Sequence, residues 1–198
     1  MKMTQISFDT LPLTASMDHR LVSEITKLIN KVYSEAEKGM WTNPNRTRTT
    51  ECEIGFLAAV EGIVVARIDG QLVGCVHISS IDETTWEFGM LAVKAEYQNQ
   101  GIGGALIGYA EYLAGCAGMQ MMQLKVLVPK LVQSSKESLK HWYMRKGYKL
   151  KSCASFEEYN PRDAVLLAVE CDFPIFSKKL AFEYRRSVPK VHEVARFG

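Results

Sequence analysis

A glycine-rich turn between an apolar run and an amphipathic helix places the strongest constraint on this chain of 198 residues. The apolar run covers residues 86–93, and apolar side chains recur at helical spacing from residue 102 to residue 117. Glycines let an anion approach the backbone closely, and the first turn of a helix presents N–H groups without intrahelical partners. The sequence therefore predicts an anion-binding turn formed by Gln98, Asn99, Gln100, Gly101, Ile102, Gly103 and Gly104.

Two other phosphate-binding patterns do not fit this turn. The dinucleotide pattern G-x-G-x-x-G would require a third glycine where the chain has Leu106. The P-loop pattern requires a lysine directly after its glycines, whereas the first lysine after the turn is Lys125. Taken alone, the turn leaves a purely structural strand-to-helix connection open.

Composition excludes several classes of protein. A net charge of +2 gives no reason to expect a nucleic-acid partner. No apolar run approaches the length of a membrane span, and the first residues lack a signal-peptide core, so a cytoplasmic protein is expected. The cysteines are odd in number, scattered and without a C-x-x-C pair, which argues for reduced thiols and against a disulfide framework or a metal site: Cys52, Cys75, Cys116, Cys153 and Cys171.

Hydrophobic periodicity and turn signals predict the order β-α-α-β-β-β-α-β-α-β-β, which is an α+β (mixed α/β) fold with helices on both faces of a mixed sheet. Asp69-Gly70 is a hairpin signal for a type I′ turn. We expect a single domain over residues 1–178 and a charged C-terminal tail over residues 179–198. Helices are predicted over residues 18–38, 50–59, 101–118 and 136–146, and strands over residues 4–8, 63–68, 72–79, 86–93, 122–128, 148–153 and 169–176.

A second motif follows the turn, after one further predicted strand. Trp142 and Tyr143 lie on one face of the predicted helix, and Gly147 and Tyr148 follow at its end. A helix with an aromatic core face and a glycine cap would explain this motif alone. Both motifs together, in this order, resemble the GNAT N-acetyltransferase superfamily, which binds acetyl-coenzyme A. The resemblance is close over residues 86–148 and compatible with the segments on either side.

The resemblance implies roles for residues around the turn. Strand residues Leu91, Ala92 and Val93 would bind the pantetheine arm through their backbone, because the fourth and fifth strands of the family splay apart. Backbone N–H groups from Gln100 to Ala105 would hold the pyrophosphate. The first position of the motif is often arginine in the family, whereas this chain has neutral Gln98. A nearby cation would then be needed, and the start of the second motif's helix offers Lys136, for which a solvated surface position is the alternative.

The resemblance also implies catalytic residues. Glu87 lies 14 positions before Gly101, as does the catalytic glutamate of histone-acetylating relatives, and is expected to be the general base. Strand alternation would place Glu87 on one face with Gly89, Leu91 and Val93, and the glycine would leave room for a substrate. Asp82 and Glu83 stay open as alternative bases. Tyr143 would protonate the departing thiolate or hydrogen-bond the sulfur.

These expectations describe an N-acetyltransferase that moves the acetyl group of acetyl-CoA to a primary amine by direct transfer in a ternary complex. A small amine, a polyamine, a peptide N-terminus and a lysine side chain all remain open as acceptors. A homodimer is left open as well. Two alternatives are a coenzyme A-binding regulatory module that has lost catalysis and a different nucleotide-binding fold. Acidic residues that could surround a cationic amine are Glu35, Glu37, Asp82, Glu83 and Glu87.

Overall fold

The computed structural model describes residues 6–131 and 134–181. Its centre is an eight-stranded mixed sheet in the order β1-β2-β3-β4-β5-β8-β6, with β7 also pairing with β8. Neighbouring strands are antiparallel except for β4 and β5, which run parallel. The strands are β1 (Ile6–Thr10), β2 (Ile63–Ile68), β3 (Gln71–Ser80), β4 (Thr85–Val93), β5 (Met121–Lys125), β6 (Val128–Pro129), β7 (Lys149–Ser155) and β8 (Cys171–Lys179).

Helices cover both faces of the sheet, as the sequence predicts. The helices α1 and α2 pack on one face, and α3 and α4 pack on the other. Two single-turn helices, α5 and α6, join β7 to β8 and help to enclose a third, smaller core around Met40 and Leu127. The bounds are α1 (His19–Ala36), α2 (Glu51–Ala59), α3 (Ile102–Cys116), α4 (Ser134–Arg145), α5 (Phe156–Tyr159) and α6 (Pro161–Ala164), with 3-10 turns at Leu13–Met17 and Ala95–Tyr97.

Capping and turn chemistry explain most element boundaries. The Asp18 carboxylate accepts hydrogen bonds from the Arg20 and Leu21 amides, both at 3.1 Å, and starts α1. The hairpin turn between β2 and β3 has positive φ at both Asp69 (47°) and Gly70 (79°), so the type I′ prediction is confirmed.

Several predicted boundaries differ from the structure. The strand expected over residues 122–128 ends at Lys125, and the chain pairs again only at β6. The first strand, expected over residues 4–8, starts at Ile6 and runs to Thr10. The predicted tail begins inside the sheet, because β8 includes Lys179 and Leu180 is buried. Residues 182–198 of that tail, and residues 4 and 5, lie outside the described part of the chain.

The fold also bears on the membrane prediction. Over residues 6–131 and 134–181, every helix is too short or too polar to cross a bilayer.

Candidate functional site

The parallel strands β4 and β5 separate at the middle of the sheet. They pair only at Thr85 with Met121, Trp86 with Met122 and Glu87 with Gln123. Beyond Glu87, β4 continues for six residues beside β3 alone, while β5 stays paired with β8 to its end. A wedge therefore opens between the carboxyl ends of the two strands, and the β4 backbone that borders it is free to pair with a ligand.

A bulge in β4 decides which side chains face each layer. Met90 has a positive φ of 49°, and the β3–β4 register shifts between Cys75 and His77. An extra residue in one strand moves every following side chain to the opposite face. Met90 and Ala92 accordingly pack against the α1/α2 layer, whereas Leu91 and Val93 pack against the core formed with α3.

This bulge overturns the expected strand face. Simple alternation placed Glu87, Gly89, Leu91 and Val93 on one side of β4. Glu87 precedes the bulge and alternates with Phe88, which packs in the α3/α4 core. Glu87 and Gly89 therefore face the α1/α2 layer, while Leu91 and Val93 face α3. The Glu87 carboxylate and the side chains of Leu91 and Val93 therefore lie on opposite faces of the sheet.

The glycine turn has the geometry of an anion cradle. Gly101 has φ +84° at the N-cap of α3, and no side chain caps the helix. The first helical hydrogen bond runs from the Ala105 N–H to the Gly101 carbonyl, at 3.0 Å. The Ala105 N–H is therefore already hydrogen-bonded within the helix, which corrects its predicted role in phosphate binding. The amides of Ile102, Gly103 and Gly104 are left at the start of the helix, where its dipole favours an anion.

The glutamines of the turn hold the turn itself. Gln98 donates from Nε2 to the Val93 carbonyl at 3.2 Å, and Gln100 donates from Nε2 to the Glu96 carbonyl at 2.9 Å. Asn99 supports the turn through a left-handed backbone with φ +60°. Gln98 therefore holds the end of β4 instead of reaching toward a phosphate. Because its side chain is neutral, the positive charge expected near the phosphate must come from another residue.

Lys146, which follows the last residue of α4, places a cation beside the turn. Its Nζ lies 2.5 Å from the position that a Cβ at Gly104 would take. Because Cα–Cβ bonds tilt toward the helix N-terminus, the ammonium lies beside the open first turn of α3. Burial lowers the pKa of Lys146, and the nearby Lys178 charge lowers it further, against the opposing effect of Glu111. Glu111 is already bound to Lys178 at 2.7 Å.

Lys136 is not brought to the turn. It lies on the first turns of α4, ten residues before Lys146, which is about 15 Å along a helix. Its side chain is buried, and burial lowers its pKa, against the effects of Glu37 and Cys171. Lys136 therefore belongs to the opposite end of α4, and its predicted phosphate contact is wrong.

Tyr143 and Tyr33 lie in the layers on opposite faces of the sheet and interact electrostatically. Tyr143 packs in the α3/α4 core against Phe88, with ring centroids 6.0 Å apart, while Tyr33 lies on α1 across the sheet. Burial raises the pKa of Tyr143, and the electrostatic effect of Tyr33 raises it further. Burial also raises the pKa of Tyr33 to about 12, partly opposed by Arg48 and by a backbone hydrogen bond from Met90. Both phenols are thus neutral donors at ordinary pH.

Glu87 lies at the mouth of the wedge and is fixed by two donors. Its Oε2 accepts from Gln123 Nε2 at 2.8 Å and pairs with Lys125 Nζ at 2.8 Å. Burial disfavours the Lys125 ammonium, but hydrogen bonds to Glu87 and Tyr159 outweigh this effect and raise its pKa. A Cβ added at Gly89 would meet nothing within 4 Å, so the space expected beside the carboxylate is present.

A cleft of about 280 Å³ opens beside Glu87. Side chains from α1, the loop after it, β4, β5 and the α5–α6 segment line it. Of the acids expected to surround an amine, Glu37 and Glu87 line this cleft, and Asp163 joins them. Glu35, Asp82 and Glu83 are exposed and stand outside it. The charged lining is balanced rather than acidic: Glu37, Glu87 and Asp163 face Arg46, Arg48 and Lys125.

Three residues of this site were missed from the sequence. Lys146 directly precedes Gly147, the glycine of the second motif. Its place within that motif was the signal that could have indicated a role at the site. Arg48 lies in the loop between α1 and α2, and Tyr33 lies near the end of α1. Neither residue belongs to a motif, so no local pattern indicates its place at the cleft.

Known proteins resemble this chain in part of its sequence and in its fold. Residues 59–150 match the family described as "Acetyltransferase (GNAT) domain", a span that contains β4, the glycine turn, α3 and α4. No curated protein matches the sequence. A GNAT-family acetyltransferase from Streptococcus pneumoniae is 15% identical, with a TM-score of 0.61 over 89% of this chain and 100% of that chain.

Two further solved structures carry ligands. YncA from Salmonella typhimurium, solved with its cofactor acetyl-CoA, is 14% identical, with a TM-score of 0.61 over 94% of this chain and 98% of that chain. An aminoglycoside 6'-N-acetyltransferase complexed with coenzyme A is 16% identical, with a TM-score of 0.63 over 82% of this chain and 92% of that chain. At such identities the structures show the shared fold. This chain is thus similar to GNAT acetyltransferases in fold, and over residues 59–150 in sequence as well.

Proposed function

We propose that this protein transfers the acetyl group of acetyl-CoA directly to a primary amine held in the cleft beside Glu87. One observation supports the proposal: β4 and β5 stop pairing after Glu87, so that the cleft lies where the strands part and the open first turn of α3 follows the free end of β4. A thioester laid in that wedge would have its phosphates at one end and an amine acceptor at the other.

The residues present fit the donor. The free amides of the first turn of α3 and the Lys146 ammonium supply positive charge for a pyrophosphate. Positive charge at the positive end of a helix is unfavourable unless an anion binds there. A Cβ at Gly103 would contact Val93, Trp142 and Leu91 at 3.7 to 4.0 Å, so this glycine brings α3 close to β4 and α4.

The acceptor must lose a proton before it attacks. An alkylamine of pKa about 10.4 is mostly protonated at pH 7, and deprotonation costs about 4.6 kcal/mol. Glu87 is the carboxylate of β4 that faces the cleft, next to open space at Gly89. As the amine nitrogen bonds to the carbonyl carbon, its proton passes to Glu87, directly or through water, and the C–S bond breaks.

Tyr143 serves the leaving sulfur as a hydrogen-bond donor. Its pKa is raised by burial, so the phenol stays protonated and is a weaker acid than an exposed tyrosine. A thiolate whose conjugate acid has a pKa near 8.5 would gain little from a complete proton transfer. The burial of Tyr143 is therefore explained better by a neutral O–H that stabilises the leaving thiolate than by acid catalysis. Solvent can then supply the proton that the thiolate takes up.

The cysteines near the site favour direct transfer over an acetyl-cysteine intermediate. Burial raises the pKa of Cys75 to about 12 and that of Cys171 to about 11. Since the thiolate is the nucleophilic form, both thiols are poor acceptors at neutral pH. Direct transfer would show intersecting initial-rate patterns for the two substrates, whereas a covalent intermediate would show parallel ones.

The test of the proposed function is thiol release from acetyl-CoA over a panel of amines, with mass spectrometry of the acetylated product. We expect release that depends on an added amine. Acetyl-CoA binding without release over the whole panel would instead support the non-catalytic coenzyme A-binding alternative.

Replacing the cation beside the turn should weaken the donor complex. Lys146→Met keeps the stem that packs on Trp142 but removes the ammonium, 4.9 Å from the ring centroid. We expect the Kd for acetyl-CoA to rise about tenfold and to depend less on salt, measured by calorimetry. Lys27→Met makes the same change on the exposed side of α1 and is the control. Equal affinity of the two variants would contradict the role of Lys146.

Removing the Tyr143 hydroxyl should separate binding from turnover. Tyr143→Phe preserves the ring contacts with Phe88 and Trp142. We expect kcat to fall about 10- to 100-fold, as for loss of a hydrogen bond to developing charge, with the Kd for acetyl-CoA little changed. Since burial keeps the phenol protonated, kcat of the wild type should show no loss from Tyr143 ionisation up to about pH 10. Unchanged turnover in the variant would exclude a contact with the sulfur.

A further inference from the structure

Arg48 lines the cleft, and the Asn30 side chain fixes its backbone. The Asn30 side chain accepts from the Arg48 amide at 2.8 Å and from the Thr49 amide at 2.9 Å, and donates to the Thr49 carbonyl at 3.0 Å. The Arg48 guanidinium carbon lies 5.4 Å from the centroid of the Tyr33 ring. The fold therefore fixes a half-buried cation beside the ring whose hydroxyl lies at the wedge.

Two of the three acids that line the cleft are already in ion pairs. Glu87 binds Lys125 at 2.8 Å, and Asp163 binds Arg46 at 2.8 Å. Glu37 accepts from Trp41 Nε1 at 2.7 Å and faces the buried Lys136. Glu53, on the exposed side of α2, accepts from Thr49 at 2.7 Å.

Arg48 is thus the cation of the cleft that lacks a carboxylate partner within the described residues. A half-buried cation of this kind is stabilised by an anion that arrives with the substrate, since desolvation without a partner is costly. A guanidinium also presents a planar fork of donors that matches a carboxylate better than an ammonium does.

We infer that the acceptor is a small amine that also carries a carboxylate, bound through that carboxylate to Arg48 while its amine faces Glu87. This inference rests on the proposed function and deepens it. Arg48, Glu87 and Gly89 line the same cleft, and a Cβ added at Gly89 would meet nothing within 4 Å. A polyamine, cationic at both ends, would place one ammonium against Arg48 and is disfavoured.

The experiment compares matched amines that differ in one group. The pairs are 4-aminobutyrate with butylamine and alanine with isopropylamine, and 1-aminoethylphosphonate replaces the carboxylate of alanine by a phosphonate. Thiol release gives kcat/KM for each compound. We expect the wild type to prefer the carboxylate member of at least one pair by 10-fold or more, and to prefer alanine over the phosphonate.

Variants assign the preference to Arg48. Arg48→Gln should lower kcat/KM for the carboxylate member roughly 10- to 100-fold while changing the plain amine little, and Arg48→Lys should retain part of the preference. Arg20→Gln, on the exposed start of α1, is the control. The Kd for acetyl-CoA, measured for each variant, reports whether the fold is intact.

Three results would overturn the inference while leaving the proposed function in place. They are faster acetylation of the plain amines, an equal loss for both members of a pair in Arg48→Gln, and a preference for the phosphonate. If no amine of either kind is acetylated although acetyl-CoA binds, the proposed function fails, and this inference fails with it.

Discussion

Gly103→Asp should abolish measurable acetyl-CoA binding. The carboxylate would stand in the first turn of α3, where the pyrophosphate is expected, and would repel it. It would also neutralise the helix end that attracts anions, and Lys146 could pair with it. We expect calorimetry to show a loss of affinity of at least about 100-fold, which is about 2.8 kcal/mol.

Two control variants separate charge from folding and bulk. Gly103→Ala adds a methyl group that would meet Val93, Trp142 and Leu91 at ordinary distances of 3.7 to 4.0 Å, so binding should largely survive. Gly108→Asp places the same charge further along α3, where a Cβ meets nothing within 4 Å. If Gly103→Asp retains wild-type affinity, or if Gly108→Asp loses as much, the turn does not hold the phosphates.

The turn and its strand and helix could be predicted because their signals are local. A glycine at φ +84°, an uncapped helix start and an apolar run are all determined by neighbouring residues. The order of elements followed in the same way from periodicity and turn chemistry. The wedge could be predicted from the family resemblance, because the fourth and fifth strands of that family splay apart.

Long-range relations could not be predicted. The β4 bulge depends on how Met90 and its neighbours meet β3, and it moves Glu87 to the face opposite Leu91 and Val93. Local sequence gives no signal for it because methionine rarely adopts a positive φ. Lys136 was the cation predicted for the phosphate, whereas the direction of α4 places Lys146 beside the turn and Lys136 about 15 Å away. The ion pairs of the cleft could not be predicted either, because they join residues on different elements of the fold.

Glu87→Gln should lower kcat/KM for the amine about 100- to 1,000-fold, because it removes the base while preserving the shape of the side chain. The Kd for acetyl-CoA should stay near that of the wild type. Glu83→Gln changes an exposed acid that was an alternative base, and it should have little effect. A larger loss in Glu83→Gln than in Glu87→Gln would reassign the base.

The Lys125 ion pair allows a stricter test of the role of Glu87. In Glu87→Gln, Lys125 loses the partner that raises its pKa, and its ammonium would repel a protonated amine. Lost activity could therefore reflect charge balance instead of proton transfer. The double variant Glu87→Gln/Lys125→Gln restores neutrality without restoring a base, and Lys125→Gln alone completes the cycle. Because proton removal from the amine costs about 4.6 kcal/mol at pH 7, we expect the double variant to remain as slow as Glu87→Gln. Recovery of activity in the double variant would show that Glu87 serves only to balance Lys125.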